Sequence, residues 1–282
     1  MPESPIQEIV CLLGLPVAGN PTQFMLERAF AAAGLDWRYL TLAVPPERLS
    51  QAVQGLRALG FKGANFAIPH KVAVIPHLDA LSQSAELMGA VNCVTRDGDQ
   101  LIGENTEGQA FVQALRDVTD PQGKKVLILG AGGTARAIAV DIGLAGAAEI
   151  TIVNRTAERG QALVDLLNGR VKVVARLVHA SGEYVVEEET DVVINATSIH
   201  SEESGPRVPL AIASLQPDMV VADVTFNPPQ TRFLREAAAR GCPTIDGLGM
   251  LVNQGVIAFK IWTDIEPDPA VMREALEEYL EI

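Results

Sequence analysis

The residue types that are scarce in this sequence argue against several classes of partner. Lys and Arg number 22 against 35 Asp and Glu, which gives a net charge of −13 and argues against nucleic acid or an anionic membrane as a partner. Aromatic residues make up only 5% of the chain, whereas hydrophobic residues make up 48%. That balance is typical of an α/β protein packed with aliphatic side chains. No apolar run is long enough to span a bilayer.

Cysteine and histidine are also scarce. The cysteines are Cys11, Cys93 and Cys242, and the histidines are His70, His77, His179 and His200. Neither set has the spacing of a metal-ligand motif, so no metal site is expected. An odd number of widely separated cysteines, with no signal-like start, favours a reducing compartment, and we expect a cytoplasmic protein.

The most informative segment is a glycine-rich loop in the middle of the chain. A short apolar strand, residues 126–129, leads into it, and an Ala-rich helical stretch and a second strand, residues 149–153, follow. The loop reads Gly130, Ala131, Gly132, Gly133, Thr134 and Ala135. It fits the G-x-G-x-x-A pattern, in which the glycines permit a tight turn and close approach to a pyrophosphate, while the helix N-terminus binds the phosphates. The pattern predicts a dinucleotide site; the alternative is an ordinary tight turn.

The end of the second strand indicates which dinucleotide. NAD-binding proteins usually place an acidic residue there to bind the ribose hydroxyls. This chain instead has Asn154, Arg155 and Thr156, with Arg159 one helical turn further on. Guanidinium groups bind phosphate oxygens in a bidentate fork, which favours the 2′-phosphate of NADP. The alternative is that both arginines lie on a solvated helix start.

The segments before and after this loop predict two lobes. Strands and helices alternate through residues 1–106, ending in a hairpin around Asp97 and Gly98. We expect an α/β fold with one α/β domain at 1–106 and C-terminal helices at 247–282. Residues 107–246 then form a Rossmann NADP-binding domain, in which residues 171–175 are one of the later strands.

Two charged residues are the first candidates for proton transfer, which hydride chemistry requires. Lys71 follows the predicted strand end at residues 65–69, where open α/β folds place their sites. Glu107 begins the linking helix, and a carboxylate near a lysine orients it and alters its pKa. The alternative for each is a solvated surface charge.

Taken together, these features resemble the shikimate dehydrogenase family over nearly the whole chain. The matching positions are Gly14-x-Pro16, Gly63-x-Asn65, Ile68-Pro69-x-Lys71, Ala90-Val91-Asn92, Gly103-x-Asn105-Thr106, the loop beginning at Gly130, Asn154-Arg155-Thr156 with Arg159, Asn195-x-Thr197-Ser198, Asn227-Pro228 and Met250-Leu251-x-x-Gln254. The resemblance implies NADP-linked, reversible oxidation of shikimate to 3-dehydroshikimate, as in the shikimate pathway of aromatic amino acid biosynthesis. It also implies a two-lobed fold whose C-terminal helices return to the substrate lobe.

The resemblance also implies roles for individual residues. Lys71 would be the acid/base group, with Glu107 as the second catalytic residue. Asn92 and Gln254 would hold substrate hydroxyls, and Asn20 and Thr22 would occupy the carboxylate-binding segment. Four further residues would lie near the cofactor: Thr197, Ser198, Val224 and Gly247.

The chain departs from the family mainly on the substrate side. The family's His-Ser-x-Ser-Pro segment is Gly19-Asn20-Pro21-Thr22-Gln23 here, and its His-Asn pair is Leu26-Glu27. Ala67 replaces a Thr, Phe226 a Tyr, Glu107 an Asp and His200 a Gly. A site built to hydrogen-bond one substrate rejects another that leaves its polar groups unpaired. Shikimate, quinate and another cyclic hydroxy acid therefore remain candidate substrates, and an NADP-binding sensor without catalysis remains an alternative. A monomer or homodimer is expected.

Overall fold

The computed structural model describes residues 7–180, 182–197, 199 and 207–282. The strands are β1 (Glu8–Gly14), β2 (Trp37–Ala43), β3 (Gly63–Phe66), β4 (Ala80–Leu81), β5 (Cys93–Asp97), β6 (Gln100–Glu104), β7 (Lys125–Leu129), β8 (Glu149–Asn154), β9 (Val174–His179), β10 (Val192–Asn195), β11 (Val220–Asp223) and β12 (Thr244–Ile245). The helices are α1 (Thr22–Ala32), α2 (Leu49–Ala58), α3 (His70–Ala73), α4 (Gln83–Met88), α5 (Glu107–Arg116), α6 (Gly133–Leu144), α7 (Ala157–Leu166), α8 (Arg232–Ala238), α9 (Gly247–Thr263) and α10 (Pro269–Leu280).

The chain divides into two compact units. Unit 1 comprises residues 1–106 and 252–282, and unit 2 comprises residues 107–251. The second division falls inside α9, so one continuous helix contributes residues to both units.

Unit 1 is built on a mixed sheet in the order β2-β1-β3-β5-β6-β4. β1 runs parallel to β2 and β3, while β5 and β6 form the antiparallel hairpin predicted around Asp97 and Gly98. The alternating burial of these strands places side chains such as Cys11, Leu13 and Phe66 in one apolar cluster with α2. The carboxyl ends of the parallel strands β1 and β3 therefore meet at the same edge of the sheet.

The C-terminal helices of unit 1 pack on this sheet and on α1. Phe259 of α9 stacks on Phe30 of α1, with ring centroids 5.1 Å apart. The Trp262 indole N–H donates to the Val94 carbonyl of β5 over 3.0 Å. These buried contacts anchor α9 to the sheet by both dispersion and a satisfied polar group.

Unit 2 has a parallel sheet in the order β12-β11-β10-β7-β8-β9. Its strands are nearly continuous apolar runs, as expected for a sheet covered on both faces. The strand order reverses between β7 and β10, which is the doubly wound Rossmann arrangement. Ligands bind such sheets outside the carboxyl ends of the strands at this reversal.

The predicted α/β fold with two lobes is confirmed, and one predicted strand was misplaced. Residues 171–175 were expected to be extended, but a π-helical turn spans Leu167–Val171 and β9 begins at Val174. Lys172 adopts a left-handed backbone with φ of 68°, which ends the helical turn before the strand begins.

Among the residues that the structure describes, no helix combines the length and hydrophobicity that crossing a membrane requires. Within the same ranges, no group of three or more His, Cys, Asp or Glu side chains is arranged to hold a metal ion.

Candidate active site

The glycine-rich loop lies at the carboxyl end of the central strand of unit 2. Gly130 follows β7 and has a φ of 109°, a backbone conformation that L side chains rarely adopt. A Cβ at this position would lie 2.8 Å from the Ala196 carbonyl oxygen. Gly130 thus brings the ends of β7 and β10 into backbone contact.

The next residues leave the start of α6 open. Gly132 precedes the helix in extended backbone, and within the described part of the chain a Cβ added to it or to Gly133 would meet no atom of another segment within 4 Å. Ala131 and Thr134 are half-buried, and Ala135 is fully buried where α6 packs on the sheet. The first N–H groups of a helix have no partner within it, and with the helix dipole they favour an anion.

Further predicted cofactor residues surround the same edge. The Thr197 hydroxyl donates to the Asn195 side-chain oxygen over 2.7 Å, and its methyl group would lie 3.4 Å from a Cβ on Gly130. The Val224 N–H donates to the Asn195 carbonyl over 3.1 Å. Gly247, at the start of α9, approaches the Val224 carbonyl so closely that a Cβ would lie 2.4 Å from it. Ser198 lies outside the described residues.

The basic residues lie at the end of the neighbouring strand β8. The Gly130 N–H donates to the Val153 carbonyl over 2.9 Å, which places Asn154 and Arg155 beside the loop. The Asn154 amide donates to the Thr156 carbonyl over 2.7 Å and shapes the turn into α7. Arg155 and Arg159 are exposed, and neither forms an ion pair with a carboxylate among the described residues. Unit 2 therefore collects an open helix N-terminus and two solvated guanidinium groups at one edge.

In unit 1, Lys71 lies just beyond the end of β3. It belongs to the single-turn helix α3 and is half-buried. Its carbonyl accepts a hydrogen bond of 2.7 Å from the Val91 N–H. This bond brings Lys71 next to Asn92, which is 5% exposed.

Asn92 is held from both sides by buried hydrogen bonds. Its side-chain oxygen accepts from the Thr106 N–H over 2.8 Å, and its amide donates to the Thr106 hydroxyl over 3.1 Å. Its carbonyl accepts from the Asn65 amide over 3.0 Å, and Asn65 in turn accepts from the Tyr39 hydroxyl over 2.8 Å. Burial raises the pKa of Tyr39 well above its ordinary value, so this hydroxyl stays a donor at neutral pH.

The remaining substrate-side residues lie on α1 and α9. The Asn20 side-chain oxygen accepts from the Thr22 N–H over 2.9 Å and thereby caps the start of α1. Gln254 lies on α9, the helix that stacks on α1. Asn20, Thr22 and Gln254 are all half-buried.

Glu107 begins α5 in unit 2 and is 6% exposed. The structure therefore rejects the solvated-surface alternative for this carboxylate. Thr106, whose backbone and hydroxyl are held by Asn92, immediately precedes it.

Two buried side chains in these regions were given no role by the sequence analysis, although Asn195 belongs to one of the matching motifs. The Asn195 amide nitrogen and the His70 Nδ1 have no hydrogen-bond partner among the described residues, although both side chains are fully buried. His70 was considered only as a metal ligand from sequence. Its burial could not be foreseen because an isolated His next to a Lys is typical of an exposed helix start.

Three models of known protein families match successive segments of the chain. The model of the shikimate dehydrogenase substrate binding domain matches residues 12–94. The shikimate / quinate 5-dehydrogenase model matches residues 113–204, and the shikimate 5′-dehydrogenase C-terminal domain model matches residues 247–277.

Individual relatives are similar over their full length. Shikimate dehydrogenase (NADP(+)) of Methanopyrus kandleri is 42% identical, covering 96% of each chain. The crystal structure of 5-ketofructose reductase from Gluconobacter sp. strain CHM43 is 47% identical with a TM-score of 0.95, covering 98% of this chain and 99% of that one. Shikimate 5-dehydrogenase of Thermus thermophilus, solved in complex with NADP(H) and shikimate, is 33% identical with a TM-score of 0.84, covering 97% of this chain and 100% of that one. The resemblance inferred from the sequence is thereby confirmed: the chain belongs to the shikimate dehydrogenase family.

Proposed function

We propose that this protein is an NADP-dependent oxidoreductase that interconverts shikimate and 3-dehydroshikimate by hydride transfer, with Lys71 as the acid/base group. The observation that carries the proposal is that, within unit 1, the Lys71 backbone is hydrogen-bonded to Val91, the residue before the buried and hydrogen-bonded Asn92. The full-length similarity to NADP-dependent shikimate dehydrogenases supports the reaction and the cofactor.

Unit 2 is proposed as the NADP-binding domain, and its residues fit that cofactor. The open space over Gly132 and the α6 N-terminus suit a pyrophosphate, and Arg155 and Arg159 suit a 2′-phosphate. Thr197, Ser198, Val224 and Gly247 would surround the nicotinamide end. When bound, NADPH supplies the hydride for ketone reduction, and NADP accepts it in the reverse direction.

Lys71 supplies the proton that this chemistry requires. During reduction, the Lys71 ammonium donates a proton to the carbonyl oxygen as that oxygen gains negative charge. During oxidation, the neutral amine removes the hydroxyl proton. Each direction therefore balances one hydride at carbon with one proton at oxygen.

The other residues on the substrate side would bind and orient the substrate. Asn92 and Gln254 each offer amide groups for substrate hydroxyls, while Asn20 and Thr22 offer an amide and a hydroxyl to the far end of the substrate. Glu107 is proposed as the second catalytic residue, since a buried carboxylate accepts strong hydrogen bonds from hydroxyl or ammonium donors.

A second candidate function is the reduction of a neutral polyhydroxy ketone. It is favoured by the 47% identity to a 5-ketofructose reductase and by the replacement of the family's carboxylate-binding segment with Gly19-Asn20-Pro21-Thr22. Because Asn20 spends its side-chain oxygen on capping α1, this segment is organised differently from a pair of serines. A substrate without a carboxylate would not need the missing contacts.

One assay separates these functions. NADPH oxidation is followed by absorbance with 3-dehydroshikimate and 5-ketofructose, and NADP reduction with shikimate and quinate. The proposal predicts turnover of the shikimate pair, abolished in Lys71→Ala and retained in Lys62→Ala, a surface lysine paired with Glu8. Turnover of 5-ketofructose alone would establish the second function, and NADPH binding with no turnover would indicate a sensor.

We also propose that the enzyme is cytoplasmic. The three cysteines are free and buried in the structure, which suits a reducing cytoplasm. A monomer or homodimer remains the expected assembly, and light scattering coupled to gel filtration measures it.

A further inference from the structure

We propose that His70 is a positioning residue that holds Lys71 in place against Asn92. The inference rests on the role proposed for Lys71 and adds a residue that does not touch the reacting atoms. Hydrogen bonds attach the backbone around Lys71 to the rest of unit 1, and His70 makes one of them.

The helix that carries Lys71 is too short to hold itself. α3 spans only His70–Ala73, and a single turn is unstable because nucleation fixes several residues for one hydrogen bond. The position of Lys71 therefore depends on contacts from α3 to its surroundings.

The His70 side chain makes one of these contacts. The ring is fully buried, and its Nε2 lies 2.7 Å from the Val44 carbonyl oxygen. A carbonyl oxygen only accepts, so Nε2 carries the hydrogen. Nδ1 is buried without a hydrogen-bond partner among the described residues, so the Nε2–H bond to Val44 is the hydrogen bond that fixes the ring. Val44 is itself tied to the first loop, since its N–H donates to the Gly14 carbonyl over 3.0 Å.

The opposite side of α3 is tied to the segment that carries Asn92. The Val91 N–H donates to the Lys71 carbonyl over 2.7 Å. The turn is thus clamped between residues 44 and 91, and the His70 side chain supplies the hydrogen bond on the Val44 side of this clamp. Without the His70 bond, α3 loses its tie to Val44 and can pivot about the bond that remains to Val91.

A shift of this kind should lower the rate more than it lowers binding. Misplacement of a catalytic group by about 1 Å costs up to about a hundredfold in rate. We expect His70→Phe, which keeps the ring and loses the donor, to lower kcat about 10- to 100-fold. The KM for NADPH should not change.

His70→Gln is the rescue variant, because the Gln Nε2 is the same number of bonds from Cβ as the His Nε2. It should recover most of kcat, whereas His70→Asn is too short and should not. His77→Phe is the matched control, because His77 lies beyond α3 and its ring has no hydrogen-bond partner among the described residues.

A second readout does not need turnover. Lysines are reductively methylated with a ¹³C label, and the Lys71 resonance is assigned by its loss in Lys71→Arg. His70→Phe should move the chemical shift of this resonance, while His70→Gln and His77→Phe leave it close to wild type.

The two readouts separate the two hypotheses. If wild type turns over no substrate but the Lys71 resonance moves in His70→Phe, the proposed function fails and the positioning role stands. If His70→Phe lowers only the melting temperature, with kcat and the Lys71 resonance unchanged, His70 is merely structural and the inference is wrong. If His70→Phe does not fold, failure of His70→Gln to exceed His70→Asn in kcat overturns it.

Discussion

Replacing Gly130 and Gly132 separately by alanine should show that the first glycine is needed for folding and the second for cofactor binding. The two glycines are two residues apart in one loop, yet their surroundings differ. Gly130 has a φ of 109° and a backbone oxygen 2.8 Å from the added Cβ. Gly132 has a φ of −82°, and none of the described residues outside its own loop and helix comes within 4 Å of an added Cβ. Alanine at Gly130 therefore disturbs the fold itself, and alanine at Gly132 only occupies the open space beside α6.

The structure gives the size of each effect. For Gly130→Ala, the left-handed backbone costs about 1–3 kcal/mol and the overlap with Ala196 about 1–3 kcal/mol more. The free energy of unfolding should fall by roughly 2–6 kcal/mol, a large share of the stability of a typical protein. For Gly132→Ala, the free energy of unfolding should change by less than about 1 kcal/mol.

NADP affinity should be lost in the opposite order, because Gly132→Ala, which hardly affects stability, acts directly on the bound cofactor. A Cβ on Gly132 moves the pyrophosphate away from the helix N–H groups, and one lost charge-assisted hydrogen bond costs about 1.5–3 kcal/mol. That loss raises the Kd for NADP roughly 10- to 100-fold. Chemical unfolding and NADPH fluorescence titration measure the two quantities on the same preparations.

Gly55→Ala is the matched control. Gly55 lies inside α2 in unit 1, also with nothing within 4 Å of its added Cβ. It should raise stability by about 0.5–1 kcal/mol and leave Kd unchanged. The reasoning is refuted if Gly132→Ala binds NADP as tightly as wild type, or if Gly130→Ala is as stable as Gly132→Ala.

Three further predictions concern charge and burial. Arg155→Ala should weaken NADP binding at least about tenfold and leave NAD binding unchanged. If parallel titrations show the same loss of affinity for NADP and NAD, Arg155 does not bind the 2′-phosphate. Hydrogen bonds from the Leu101 N–H and from Arg57 lower the pKa of Asp79 below 3.8. The Asp79 stabilisation is therefore present above pH 3.8 and is lost as the pH falls through the lower, folded-state pKa. Melting curves against pH should show Asp79→Asn less stable than wild type at neutral pH and equal to it near about pH 2; a constant difference would contradict this. Burial raises the pKa of Cys11 to about 12, so a thiol reagent at neutral pH should label it only after unfolding, as mass spectrometry would record.

Elements with a strong local pattern were predictable. The strand–loop–helix–strand around Gly130 and the hairpin around Asp97 and Gly98 appear where the sequence places them. Their apolar periodicity, turn residues and glycines all favour the same structure, which is when local patterns are reliable.

Elements that depend on distant partners were not predictable. The β-branched run 171–175 has strand propensity, but Val171 closes a π-helical turn before β9 begins. Val171 and Val173 both pack closely over Gly143 of α6, and that contact between distant segments outweighs propensity.

The candidate site shows the same distinction. Lys71 and Arg155 were singled out because their residue types and positions match the chemistry of proton transfer and phosphate binding, and Asn92 was singled out by the family resemblance; their roles stay predictions. The degree of burial of Glu107 and the ties of His70 were not, since both depend on which segments lie alongside them.

The sequence by itself determined the fold class, the family and the position of the cofactor loop. Each of these depends on short local motifs, in which backbone geometry and side-chain chemistry act directly, and the family assignment adds the order of those motifs along the chain. Only the tertiary structure decided that the Tyr39 hydroxyl supports Asn65, that Asn92 holds Thr106 and that His70 bonds to Val44. These contacts join segments far apart in the chain, and they exist because folding removes the groups from water and pairs each buried donor with whichever acceptor the packing brings within reach.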